Sequence, residues 1–188
     1  MTAVLSLFLV AALAQASQPD LTGVYKAVPN GVTLQSGLKN DGSPGDIPLL
    51  PAAKAQLKDP KDDPWKSCKP AGEFRLMARP DTKIELVPAP GVIYMFFEDL
   101  QHGVMRSIYT GRNHPEKTPS LWFGDSVGRW EGDTLVVDTI GFNEETWLND
   151  AGAQHSTSLH LVERIKPVLG GVEDVATIGP VGVHDHDR

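Results

Sequence analysis

Seven ionisable side chains stand in or beside apolar, strand-like stretches: Glu98, Arg106, Asp138, His155, His160, Glu163 and Arg164. A charge among apolar neighbours needs a partner or a task. Pairing is the plain reading. Glu98 and Arg106 lie on opposite arms of one expected hairpin and could pair across it. Glu163 and Arg164 are adjacent, so on a strand they point to opposite faces and one of them must meet the core or a partner. The chemical reading is an acid–base site. His155 follows a long loop, and an imidazole beside Asp138 or Glu98 could take and return protons near neutral pH. Arg106 or Arg112 could hold an oxyanion or a carboxylate. Trp122, Trp147 and Tyr94 could line the apolar side of a small-molecule pocket. This set suits proton transfer, elimination or hydrolysis. A serine nucleophile has little support, because no G-x-S-x-G elbow is present.

No metal and no cofactor are expected. His155 and His160 are five residues apart, a spacing that sends them to opposite faces of a strand. His184 and His186 share one side of an extended tail but lack a third ligand nearby. No phosphate-binding glycine loop is present, since Gly124 to Gly132 reads as part of a hairpin.

These groups would be carried by strands. Lys83–Val87 and Val92–Glu98 flank Pro88-Ala89-Pro90-Gly91, and Val104–Thr110 returns after a turn at Asp99–Gly103. Ser126–Trp130 meets Thr134–Ile140 across Glu131-Gly132-Asp133, where Gly132 can take the positive φ of a tight connection. Ser158–Ile165, Val172–Ile178 and Leu21–Val28 bring the total to about eight strands. Val92–Glu98 and Thr134–Ile140 are apolar on both faces and so need cover on both sides. Ten of the fifteen prolines fall in residues 29–90, which predicts a long wrapping segment with one helical stretch, Pro51–Leu57. The expected fold is all-β and barrel-like, lipocalin-like in general form, with a sandwich as the alternative. Signals for βαβ units are few.

The run Gly124-Asp125-Ser126-Val127-Gly128-Arg129-Trp130-Glu131-Gly132-Asp133-Thr134-Leu135-Val136-Val137-Asp138-Thr139 resembles the central motif of a family of mostly uncharacterised exported bacterial proteins. The likeness extends to Arg106-Ser107-Ile108-Tyr109, Gly111-Arg112, His114-Pro115, Gly141-Phe142-Asn143, Thr146-Trp147-Leu148, His155-Ser156 and Glu163-Arg164. Leu21-Thr22-Gly23-Val24-Tyr25 resembles the start of the mature domain. The resemblance implies export and no particular activity. The chain departs from the pattern in two places. Gly72-Glu73-Phe74-Arg75 stands where the family shows Gly-x-Pro-Arg. The end, Gly179 to Arg188, lacks the family's Asp-Pro, Tyr and Pro-Trp finish.

The chain has 188 residues, 40% hydrophobic and 22% charged, enough for one domain with one core. Its net charge of −7 argues against nucleic acid and anionic membrane surfaces as partners. Lys58–Asp63 reads as a solvated loop. The expected partner is a small-molecule ligand or substrate, and nothing in the sequence fixes the oligomeric state. Thr2–Ala14 is apolar and ends in Ala14-Gln15-Ala16, a leader-cleavage pattern too short for a membrane span. Residues 1–16 therefore read as a signal peptide, 17–188 as a single β-rich domain and 183–188 as a disordered tail, and the protein as periplasmic or extracellular. A non-catalytic binding protein and an envelope or surface interaction module are the alternatives to an enzyme. The lone cysteine, Cys68, cannot form an internal disulfide and is expected to be a buried, inert thiol. Protein made with its own leader should lose its first 16 residues. Intact-mass measurement checks this, and a full-length cytosolic product would refute export.

Overall fold

The computed structural model describes residues 18–26, 55–79, 82–98 and 103–179. Eight strands form one sheet in chain order: β1 (Gly23–Lys26), β2 (Lys83–Ala89), β3 (Val92–Glu98), β4 (Gly103–Tyr109), β5 (Asp125–Glu131), β6 (Thr134–Ile140), β7 (Leu161–Val168) and β8 (Gly171–Ile178). The sheet bends into a nearly closed barrel. Every neighbouring pair is antiparallel except β4 and β5, which run parallel through Ile108↔Ser126 and Tyr109↔Val127. That junction departs from a simple up-and-down barrel.

Alternation along each strand builds the interior. Ile93, Met95 and Phe97 point inward from β3, Leu135 and Val137 from β6, and Ile165 from β7, all into one core with Leu21, Leu86 and Ile108. Gly132 has φ 65 in the two-residue turn between β5 and β6, as the sequence predicts. Strand β2 continues through Pro88. The ladder to β1 stops at Leu86, so on that side Pro88 faces no strand that needs its missing N–H.

Three expectations need correction. The Pro-rich segment carries a short helix, α1 (Glu73–Ala78), that buries Glu73, Arg75 and Leu76. The expected helix at Pro51–Leu57 lies largely outside the described residues, as do the leader, the tail and most of the turn at Asp99–Gly103. Two 3-10 turns, Pro60–Asp62 and Pro64–Ser67, precede α1, each opened by a proline and capped by the side chain of Asp59 or Asp63. Cys68 is exposed, not buried, because it ends the second turn in a left-handed conformation at the surface. Finally, Ser158–Leu159–His160 precede β7, which starts at Leu161.

The expected Glu98–Arg106 pair is absent. The register sets Glu98 opposite Gly103 and Arg106 opposite Met95, which puts the two charges on opposite faces. Glu98 instead pairs with Lys83 at 3.0 Å on the exposed side. Arg106 points into the barrel, where it is 2% exposed. There it donates to Ser126 Oγ on β5 (2.9 Å), Thr139 Oγ1 on β6 (2.7 Å) and both Glu163 oxygens on β7 (2.9 and 2.5 Å), and to Glu73 on α1. Glu163 thus takes the core-facing role, while Arg164 turns outward to Glu131 at 3.0 Å.

Removing one partner of a buried charge network strands the others. Arg106→Met should cost about 3–5 kcal/mol of stability, measurable by urea unfolding. Phe97→Ala should cost a comparable ~3–5 kcal/mol by leaving a cavity.

Candidate functional site

The outer face of β5 and β6 carries a second charge network, and strand parity explains it. Val137 and Thr139 point inward, so Asp138 between them points out. Val127 lies opposite Asp138 and Ile140 opposite Asp125. Asp125 and Val127 share a face, so both carboxylates emerge on the same side. Val162 of β7 also lies opposite Asp138. His160, two residues before Val162, therefore reaches Asp138 as a diagonal neighbour.

The loop after β4 supplies the rest. Arg112 donates from Nη1 to Asp125 Oδ1 (3.1 Å) and makes a second bond from Nη2 to Oδ2. Its guanidinium carbon lies 3.9 Å from the centre of the Tyr109 ring. His114 bridges the two carboxylates, with Nδ1 2.6 Å from Asp125 Oδ1 and Nε2 3.0 Å from Asp138 Oδ1. His160 Nε2 meets Asp138 Oδ2 at 2.9 Å. The order is thus Arg112, Asp125, His114, Asp138, His160, with basic and acidic side chains alternating. Burial pushes the Asp125 carboxyl up, but hydrogen bonds from Arg112 and His114 outweigh it and hold the carboxyl below its usual range. The same balance holds for Asp138, where His160 and His114 oppose burial.

The loop carrying His114 is fastened to the end of β6. Leu121 N–H donates to Gly141 O (2.9 Å) and Asn143 N–H to Leu121 O (2.8 Å). Gly141 has φ 74, and a Cβ there would sit 2.4 Å from Thr118 Cγ2, so no other residue fits this close approach. From Asp125 to His160 the exposure of the network increases. Asp125 is buried, the His114 side chain is 22% exposed and that of His160 is 45% exposed. The second ring nitrogen of His160 has no protein partner among the described residues.

The sequence-predicted residues are dispersed. Asp138 and Arg112 meet through His114 and Asp125. Arg106 lies on the opposite face of the sheet, inside the barrel. His155 is buried, with Nε2 2.8 Å from Thr146 Oγ1 and Nδ1 3.2 Å from Ser156 O, and packs edge-on to Phe142. Glu98 is at the surface with Lys83. Trp147 is buried, Trp122 is half-buried on the His114 loop, and Tyr94 is half-buried on the outer face of β3. Asp138 lies on the outer face of the sheet, Arg106 inside the barrel, and His155 against Thr146 and Ser156. His114 and Asp125 were the residues that sequence reasoning did not single out. Among the described residues, no group of three or more His, Cys, Asp or Glu is arranged to hold a metal ion, and no helix is long and apolar enough to cross a membrane.

Compared with known proteins, the chain matches no family model, no curated protein and no solved structure.

Both carboxylates have folded values below their unfolded ones. Their stabilisation is therefore full above the ordinary carboxyl range, near about pH 4, and is lost as pH falls through the lowered values. Asp125→Asn should destabilise the protein at neutral pH, and the gap to wild type should close on acidification below about pH 4. Thermal unfolding across pH measures this.

Proposed function

We propose that this is an exported protein that engages a small, partly apolar molecule at the outer Asp–His network and exchanges protons with it through His160. The supporting observation is the half-exposed His160 imidazole. Asp138 orients it through Nε2, and its Nδ1 side faces away from the protein bonds. A carboxylate behind an imidazole fixes its tautomer and orientation and leaves the other ring nitrogen to meet a ligand. His160 can then act as base toward a C–H or a water molecule, and as acid when the proton returns. Arg112, His114 and Asp125 position this pair, because Asp138 is shared between the two histidines. Trp122 and the exposed Leu121 lie on the loop that carries His114 and supply apolar surface. The resemblance of the central run to exported bacterial proteins supports the export reading, as does the apolar leader pattern.

A second reading has its own observation. The barrel interior is occupied by the core and the Arg106 network, and an apolar row lies outside. In register, Val24 is opposite Glu85, Glu85 opposite Phe96, and Phe96 opposite Met105. Val24, Phe96 and Met105 are 63%, 39% and 49% exposed. An envelope interaction module would use such a surface.

Screening small esters, lactones and hydroxy-carbonyl compounds tests the first reading. On a substrate found this way, His160→Ala and Asp138→Asn should lower kcat/KM by about 10²–10⁴-fold with an unchanged circular dichroism spectrum. Full activity in His160→Ala would overturn the assignment. If no compound is bound or turned over, and Phe96→Lys changes the state of assembly, the second reading replaces it.

A further inference from the structure

Inside the barrel, three carboxyls face one guanidinium. Glu73 comes from α1, Glu163 from β7 and Asp174 from β8, while Arg106 comes from β4. The neutral hydroxyls of Ser126 (β5) and Thr139 (β6) complete the polar set. If every carboxyl were ionised, the interior would carry two uncompensated negative charges, which a medium shielded from water does not tolerate. The hydrogen bonding is also incomplete. Among the described residues, no N–H or O–H donor reaches Glu73 Oε2 or either oxygen of Asp174, and all three atoms are buried. Asp174 as a residue is only half-buried, because β8 is the last strand of the sheet, but its carboxyl points inward. Yet Glu73 and Glu163 share one donor, Arg106 Nη1, and Asp174, two residues before the Ala176 that lies opposite Glu163, is its diagonal neighbour on the inner face. Carboxyls crowded in this way around one cation avoid mutual repulsion by keeping protons.

We propose that Glu73, Glu163 and Asp174 form a buried proton-binding site that holds two protons and, through Glu73, ties helix α1 to the barrel strands. The ion pair of Glu163 with Arg106 is its anchor, and Glu73 and Asp174 are the two carboxyls that keep their hydrogens. The acidities agree with this. Burial pushes Glu73 well above the usual carboxylate range, Arg106 opposes that, and Glu163 and Asp174 add to it. Burial and then Glu163 do the same for Asp174, against Arg106.

The sign of the linkage follows. In the unfolded chain these carboxyls ionise in the ordinary range, while in the folded protein they keep their protons to higher pH. The folded state therefore binds more protons, and stability falls as pH rises from the ordinary carboxyl range up through the raised values. Each retained proton changes the unfolding equilibrium constant by up to about tenfold per pH unit in that window. This trend is opposite to that of Asp125 and Asp138.

Urea unfolding of the full folded chain between pH 5 and pH 9, in wild type and in Asp174→Asn, tests the site. Wild type should lose stability as pH rises. Asp174→Asn keeps the shape and cannot ionise, so its slope should be shallower by up to about tenfold per pH unit in the unfolding constant. Glu73→Gln should flatten the curve in the same way, and neither change touches the rim histidines. Infrared spectroscopy of the native proteins gives a second measurement that does not depend on unfolding. Wild type at neutral pH should show the C=O stretch of protonated carboxyls, weakened in each variant. An Asp174→Asn slope equal to that of wild type, or the absence of the protonated-carboxyl band in wild type, would overturn the proposal.

Discussion

A guanidinium without access to water sets the terms for the rest of this structure. Arg106 can remain charged inside the barrel only if its hydrogens find acceptors and its charge finds anions. Burial works against that charge, but the neighbouring carboxyls, Glu163 foremost, outweigh it and hold the group above an ordinary arginine. To meet this requirement, three strands and α1 converge on one side chain. Ser126, Thr139 and Glu163 occupy inward positions on three successive strands, and Glu73 arrives from outside the sheet. The six-residue helix has no side-chain cap at Gly72. It depends on what it buries more than on its own hydrogen bonds.

The same two strands serve both charge networks. Ser126 and Thr139 face each other on the inside of β5 and β6, while Val127 and Asp138, the next pair, face outward. The pleat alone separates a sealed network from an accessible one. The outer residues can exchange with solvent, while the strands that present them are fixed from behind by Arg106. This arrangement gives a rigid platform to an exposed titratable pair.

Most of the fold could be read in the sequence because its strands are strongly apolar and bounded by turn residues. Val92–Glu98 and Thr134–Ile140 have the bounds that their patterns suggest. Helix α1 could not be read that way. Glu73 and Arg75 are buried charges within six residues of a proline-rich stretch, and their burial depends on partners far along the chain. The site was legible in part. A carboxylate among valines singles out Asp138, and Arg112 stands in a turn. The imidazole of His155 satisfies its bonds locally with Thr146 and Ser156, which composition cannot distinguish from a catalytic ring. His114 and Asp125 acquire meaning only when register places Asp125 and Asp138 on the same face. Register also decided Arg106, since a three-residue offset from Gly103 sends it away from Glu98.

The parallel contact between β4 and β5 has a consequence for how the chain assembles. It divides the sheet into two antiparallel parts, β1–β4 and β5–β8. Two register pairs join them, against seven between β5 and β6. Hairpin contacts form early because little chain entropy is lost in closing them. Joining the two parts must align the Arg106 side of one with the Ser126–Thr139–Glu163 side of the other. With so few ladder pairs, the seam is where a mechanical pull would first separate the sheet.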